Sequence, residues 1–130
     1  MPEIASSPTT VPAVDYDAVI VGGSFAGLAA AQQLRGRRVL LLDQRPIGTH
    51  QSSTCGVPLP TMRAVGAESA ALEQHERLVM HAAGHLFRFP LPDPYVTFDY
   101  HAFCTAMLAR TDAEVRIVRA TGYDGATGTV

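Results

Sequence analysis

The sequence predicts an α/β fold in which a βαβ unit with a parallel sheet comes first and short antiparallel strands and a helix follow. Residues 19–21 and 39–42 are unbroken runs of Val, Ile and Leu, as in strands covered on both faces of a parallel sheet. Between them, Gly22 and Gly23 precede a stretch rich in Ala, Leu and Gln, which are good helix formers. Strand, tight turn, helix and strand therefore follow one another directly.

Composition and length limit the classes of protein to consider. The chain has 130 residues, 47% of them hydrophobic, and a formal net charge of −2, so we expect one domain and no affinity for nucleic acid or an acidic membrane surface. No run approaches the roughly 18 apolar residues of a transmembrane helix. Two cysteines without C-x-x-C spacing, and no sign of secretion, predict thiols in a reducing cytosol and a cytoplasmic location. Residues 1–13 are predicted to be a disordered leader, which leaves residues 14–130 for the domain.

Glycines and prolines divide the first half of the chain. The first helix starts at Phe25 and is expected to end at Gly36, a natural C-cap, before the second strand. Pro46 and Gly48 end regular structure after that strand, and residues 49–60 are predicted to form a long loop. Residues 61–76 are predicted to be helical.

The second half alternates short strands with one helix. Strands predicted at 78–80 and 85–89 flank a turn at 82–84, and three prolines then force an extended connection before a strand at 96–98. Asp99 is placed to cap a helix that runs to Arg110. Residues 114–119 alternate like a half-exposed strand, and 127–130 would begin a strand returning after a turn at 123–125. Because the chain stops inside that hairpin, we expect an incomplete fold, the front part of a longer protein; the alternative is a small minimal domain.

The glycine turn has nearly the spacing of a dinucleotide-binding motif. Its residues, Gly22-Gly23-Ser24-Phe25-Ala26-Gly27, follow G-x-G-x-x-G except that Ser24 stands at the middle glycine. A helix N-terminus offers unpaired N–H groups and partial positive charge, and can therefore hold a diphosphate. Asp43 ends the second strand 21 residues after Gly22, near the spacing of a ribose-binding carboxylate. We interpret this stretch as a Rossmann-like dinucleotide-binding unit; the alternative is an ordinary βαβ unit with Asp43 on its surface.

With these residues in place, the sequence resembles FAD-dependent oxidoreductases of the geranylgeranyl reductase and aromatic hydroxylase type. The resemblance covers most of residues 15–130 and is carried by residues 17–31, 39–48, 53–58 and 95–109. Residues 14–130 would then be the N-terminal part of an FAD-binding domain. Family members usually have glycine at position 24 and often glutamate at position 43.

The resemblance implies that FAD lies across the first βαβ unit. The glycine turn, from Gly22 and Gly23 through Ser24, Phe25 and Ala26 to Gly27, would line the pyrophosphate. Asp43 would bind the adenosine ribose, with Gln44 and Arg45 beside it. Cys55 lies in a loop that approaches the flavin in related reductases. NAD(P)H as electron donor and a small-molecule or isoprenoid substrate belong to the complete protein, and the catalytic residues stay unknown.

Several assignments keep alternatives. Arg45 either neutralises phosphate or flanks adenine, or is a solvated arginine after a strand. Cys55 either faces the flavin or the substrate, or is a small residue in a packed turn, and His50 in the same loop either contacts the cofactor or faces solvent. The acid at position 43 disfavours a ribose 2′-phosphate, and hence NADP, as the bound cofactor.

The remaining histidines have no recognised ligand spacing, so no metal site is predicted. The leading interpretation is the FAD-binding portion of a flavin-dependent oxidoreductase, either geranylgeranyl reductase-like or monooxygenase-like. The alternatives are an NAD(H)-binding oxidoreductase fragment, or a truncated nucleotide-binding module without activity of its own.

Overall fold

The computed structural model describes residues 15–51 and 54–130. The leader predicted at residues 1–13 lies outside the described residues. Within these ranges, six strands and three α-helices follow the order β1, α1, β2, β3, α2, β4, β5, α3, β6. Their bounds are Ala18–Val21 (β1), Phe25–Gln33 (α1), Val39–Asp43 (β2), Gly56–Pro58 (β3), Leu59–Ala64 (α2), Ala71–Ala82 (β4), His85–Phe98 (β5), Tyr100–Leu108 (α3) and Glu114–Ile117 (β6).

A parallel sheet in the order β1-β2-β6 organises the domain. Ala18 pairs with Val39, and Leu41 pairs with Val115, so β2 lies between the other two strands. The predicted α/β fold with a parallel sheet is confirmed. The central strand β2 is buried from Val39 to Leu42, as its apolar run predicts. The prediction that β1 is covered on both faces is wrong, because Val21 is 60% exposed at the edge of this sheet.

The second sheet is antiparallel and has the order β3-β5-β4. The hairpin predicted between residues 78 and 89 is confirmed, with Leu78 opposite Phe89, and its strands extend beyond the predicted ones. Ala83 and Gly84, at the tip, both have positive φ angles, 49° and 76°. Two such residues give a turn whose twist matches that of the flanking strands.

Two predictions between residues 49 and 76 are wrong. The predicted loop over 49–60 contains β3 and the first two residues of α2. The predicted helix over 61–76 ends as α2 at Ala64, continues as a single 3₁₀ turn over Glu68–Ala70, and becomes β4 at Ala71. Residues 71–75 pair with residues 95–98 of β5, and this long-range pairing overrides a local preference for helix.

Two other predicted elements also differ from the structure. Helix α1 ends at Gln33 with Leu34 as its C-cap, and Gly36 follows with φ +79° in the turn beyond it. The strand predicted at 127–130 is reduced to a single antiparallel bridge between Asp124 and Thr129. The predicted cap of α3 is confirmed, because the Asp99 side chain accepts a hydrogen bond from the Ala102 N–H at 2.7 Å.

The core joins the first sheet to both longer helices. Leu41 of β2, Leu28 of α1 and Met107 of α3 are at most 1% exposed and belong to one apolar cluster. No helix in the described part of the chain is long and apolar enough to cross a membrane.

Candidate functional site

The glycine turn between β1 and α1 depends on two glycines for different reasons. Gly22 has φ +106°, a conformation that side chains rarely adopt, and a Cβ there would meet nothing within 4 Å. A Cβ at Gly27 would lie 1.8 Å from the Gly22 carbonyl oxygen, so only glycine lets the first turn of α1 pack against the end of β1. Ser24 is the N-cap of α1, and its side chain makes no capping hydrogen bond.

Asp43 lies across this turn. Its Oδ2 accepts a hydrogen bond from the Gly23 N–H at 2.7 Å, and its Oδ1 accepts one from the Arg45 N–H at 2.9 Å. The parallel pairing of β1 with β2 brings the carboxyl ends of both strands to the same edge of the sheet. Ligands of α/β proteins bind at this edge.

One cleft at this edge brings together five of the residues predicted to hold a cofactor. It has a volume of about 150 Å³ and is lined by the following residues: Gly23, Ser24, Asp43, Gln44, Arg45, Pro46, Ile47, Gly48, His50 and Tyr100. A neighbouring groove of about 290 Å³ is lined by Gly22, Asp43, Gln44 and Arg119, among others. Because Asp43 and Gln44 line both spaces, the two are adjacent on the surface. Arg45 lines the first of these spaces and Arg119 lines the second.

The other predicted cofactor residues lie elsewhere. The Phe25 ring packs edge-on against Phe98, Tyr100 and Phe103, with centroids between 5.3 and 5.8 Å apart, so only its backbone can serve the turn. Ala26 lines a separate apolar pocket of about 310 Å³ between α1 and β3.

Cys55 does not line the cleft with Asp43. It packs against the core cluster, its carbonyl accepts a hydrogen bond from the Phe98 N–H at 3.1 Å, and burial raises the pKa of its thiol. This is the packing of a small residue beside β5, and a raised pKa keeps the thiol protonated rather than reactive. Its assignment to the flavin therefore rests on the resemblance alone.

Tyr100 is the cleft residue that sequence reasoning missed. It directly follows the capping Asp99 at the start of α3, and its hydroxyl lies 3.1 Å from Ser24 Oγ. Burial is the main cause that raises the pKa of Tyr100, so its hydroxyl is protonated at neutral pH. One signal in the sequence could have indicated Tyr100. Like Ser24, it lies at a junction between a strand and a helix.

The arrangement suits binding rather than acid–base chemistry. The described residues contain no group of three or more His, Cys, Asp or Glu side chains that could hold a metal ion. What the cleft offers is a carboxylate for hydroxyl groups, main-chain donors at the start of α1 for an anion, and hydroxyl donors at Ser24 and Tyr100.

Sequence similarity to a known protein covers a limited stretch of this chain. No protein-family model matches it. A digeranylgeranylglycerophospholipid reductase from Sulfolobus acidocaldarius is 46% identical over 43 residues, which are 32% of this chain and 10% of the reductase.

Solved structures resemble it over most of its length. The flavin-dependent brominase Bmp2 matches with a TM-score of 0.67 at 16% identity, and the matched region covers 78% of this chain and 29% of the brominase. Halogenase PltM has a TM-score of 0.65 at 18% identity over 84% of this chain and 30% of its own. The myxobacterial chondrochloren halogenase CndH, a variant of FAD-dependent halogenases, has a TM-score of 0.63 at 20% identity over 78% of this chain and 28% of its own.

These similarities establish the class of fold. The chain has the fold of a region of flavin-dependent halogenases and of a brominase, and it spans less than a third of the length of each. The predicted resemblance to flavin-dependent oxidoreductases, with a geranylgeranyl reductase among the similar proteins, is thereby confirmed.

Proposed function

We propose that residues 15–130 form the FAD-binding portion of a flavin-dependent oxidoreductase. The observation that carries this proposal is the cleft in which the Asp43 carboxylate meets the glycine turn, with Asp43 Oδ2 2.7 Å from the Gly23 nitrogen. A dinucleotide presents a ribose diol and a diphosphate side by side. In this cleft the Asp43 carboxylate would accept from the diol, and main-chain donors of the glycine turn would hold the diphosphate beside it.

Asp43 retains capacity for the ribose. An ionised carboxylate has about four lone-pair sites, and the Gly23 and Arg45 N–H groups use two of them. The hydroxyl groups of a ribose would donate to the remaining two. A 2′-phosphate in the same place would meet the negative charge of Asp43 at close range, which disfavours NADP as the bound nucleotide.

The diphosphate would lie at the start of α1. The first N–H groups of a helix have no partner within the helix and carry partial positive charge. The open space at Gly22, where a Cβ would meet nothing within 4 Å, leaves room for the close approach of an anion. Arg45 and His50 at the rim would add positive or hydrogen-bonding groups.

FAD, when bound, supplies the capacity to transfer hydride or electrons, and the residues of this chain would bind and orient it. The reductase and halogenase relatives support an oxidoreductase as the complete protein, reductase-like or monooxygenase-like. A small-molecule or isoprenoid substrate, NAD(P)H as electron donor and a cytoplasmic location remain predictions from the sequence. The assignment of Phe25, Ala26 and Gly27 to the pyrophosphate is part of the same proposal, and that of Cys55 to the flavin rests on the resemblance.

The test is the visible absorption spectrum of the purified chain with and without added FAD. We expect bound flavin, retained on a desalting column, and quenching or enhancement of flavin fluorescence on titration. Gly22→Leu should weaken the binding, because a side chain at φ +106° is strained and enters the anion site. Gly122→Leu, at a position with open space and an ordinary φ, is the matched control.

Three results would contradict the proposal. If NAD stabilises the chain and no flavin binds, the result would favour an NAD(H)-binding fragment. A folded chain that binds neither nucleotide would leave the likeness to flavoproteins as one of fold only. Equal affinity of the Gly22→Leu and Gly122→Leu variants for FAD would place the ligand away from the glycine turn.

A further inference from the structure

Two hydroxyl groups from distant parts of the chain meet at the mouth of the glycine turn. Ser24 Oγ and the Tyr100 hydroxyl are 3.1 Å apart, although 76 residues separate them, and both residues line the cleft that holds Asp43. Ser24 occupies the position that the dinucleotide-binding motif reserves for its middle glycine, where the chain approaches the pyrophosphate.

Packing fixes the Tyr100 hydroxyl in place. The residue is only 8% exposed, and its ring packs edge-on against Phe25 with centroids 5.4 Å apart. Asp99 caps the helix that Tyr100 begins, so the backbone at this point is also held. The hydroxyl therefore cannot move away from Ser24 without disturbing the core.

The pair of hydroxyl groups has one hydrogen available for a further hydrogen bond. Each hydroxyl has one hydrogen, and a single hydrogen bond between them uses one of the two. Whichever oxygen accepts, the other hydrogen points to a third group. The buried Cys104 thiol also interacts with the Tyr100 hydroxyl, but a thiol is a weak acceptor and competes poorly for that hydrogen.

We propose that Ser24 and Tyr100 act as one shared hydrogen-bond donor to a phosphate oxygen of the bound dinucleotide. The proposal rests on the proposed function, because it needs the diphosphate at the glycine turn. A glycine at position 24 provides no side-chain donor. The pair would therefore give this chain a ligand contact that its motif otherwise lacks, and would make Tyr100 a specificity-determining residue for the diphosphate.

A sharing pair predicts an unusual response to substitution. In Tyr100→Phe the serine hydroxyl keeps its hydrogen, and in Ser24→Ala the tyrosine hydroxyl keeps its own, so each single variant can still donate to the ligand. Only the double variant has no donor. The stability of the fold should instead fall at the first substitution, because that substitution breaks the hydrogen bond between the two hydroxyls. The second substitution should cost little further stability, because it removes a group that has already lost its partner.

The experiment measures the affinity of the full chain for FAD and for ADP, together with the melting temperature without ligand, in the parent and in the two single and one double variants. A hydrogen bond to a charged group supports a loss of about tenfold or more in the double variant. We expect each single variant to stay within about threefold of the parent, and the double variant to melt no lower than Tyr100→Phe. The control is Tyr123→Phe, since Tyr123 is 71% exposed and does not line this cleft.

The outcomes separate this proposal from the one it rests on. If the parent chain binds FAD and ADP, and the affinity of the double variant for both is within about twofold of the parent's, the shared donor is refuted while FAD binding stands. If affinity falls fully at the first substitution and follows the melting temperature, the pair is only structural, and the proposal is again refuted. A parent chain that binds neither ligand would refute both proposals.

Discussion

Gly27→Ala is the most direct test of how α1 sits on β1. The added Cβ would lie 1.8 Å from the Gly22 carbonyl oxygen and 3.2 Å from Ile20 Cγ2. The first contact is far inside any real separation, so the start of α1 must retreat by roughly 1 Å, which a close-packed interior resists. The obstacle is a backbone atom, and no change of rotamer can relieve it.

Two opposing terms set the size of the effect. Alanine is a better helix former than glycine by up to about 1 kcal/mol. Overpacking of this kind costs about 1–3 kcal/mol and occasionally more, and a clash with backbone belongs at the upper end. We therefore expect a net loss of about 2 kcal/mol in the free energy of unfolding. For a domain of this size that loss corresponds to a fall in Tm of roughly 8 °C.

The assay is thermal and urea unfolding of three variants beside the parent chain, with FAD titration on each. Gly122→Ala is the matched control, because a Cβ there meets nothing within 4 Å, and it should stay within about 0.5 kcal/mol of the parent. Gly23→Ala should fall between the two, since its closest obstacle is the flexible tip of Ile47. If Gly27→Ala melts within 2 °C (about 0.5 kcal/mol) of Gly122→Ala and binds FAD as tightly, the close approach of helix and strand is wrong.

Three further substitutions test other parts of the chain. Asp43→Asn should weaken FAD affinity about tenfold, because the ribose loses a charged acceptor, while an equal loss for a ligand without ribose would contradict that role. Asp99→Ala should lower stability by about 1 kcal/mol in urea unfolding through loss of the α3 cap, and Asp99→Asn should restore most of it. The pKa of Glu114 is lowered mainly by the hydrogen bond from the Tyr16 hydroxyl and next by Arg116. The contribution of Glu114 to folding stability is therefore complete above the unfolded pKa of about 4.3, and it is lost as the pH falls through the lowered pKa of the folded state. Glu114→Gln should therefore flatten the acid side of a plot of Tm against pH. An unchanged slope would show that the contacts of Glu114 with Tyr16 and Arg116 add nothing to stability.

The local patterns in the chain were sufficient for the elements that short-range chemistry controls. A few adjacent residues determine each of three features: the apolar run of β2, the glycine turn and the Asp99 cap. The structure confirms all three. The hairpin tip at Ala83 and Gly84 belongs to the same group, since two positive φ angles are a property of the turn itself.

Long-range pairing decided the elements that were predicted wrongly. Residues 71–76 have a local preference for helix, and they form a strand because β5 pairs with them. The exposure of Val21 likewise depends on which neighbours cover the sheet, and an apolar run does not carry that information.

The candidate site divides along the same line. Gly22, Gly27 and Asp43 could be found from spacing, because the turn and the strand that follow it are close in sequence and the parallel pairing of β1 with β2 brings their ends together. Tyr100 could not be found in this way, since its contact with Ser24 spans 76 residues and exists only because α3 packs on α1 through Phe25. Backbone geometry is encoded locally and can be read from motifs, whereas a contact between remote side chains is created when the core closes around them.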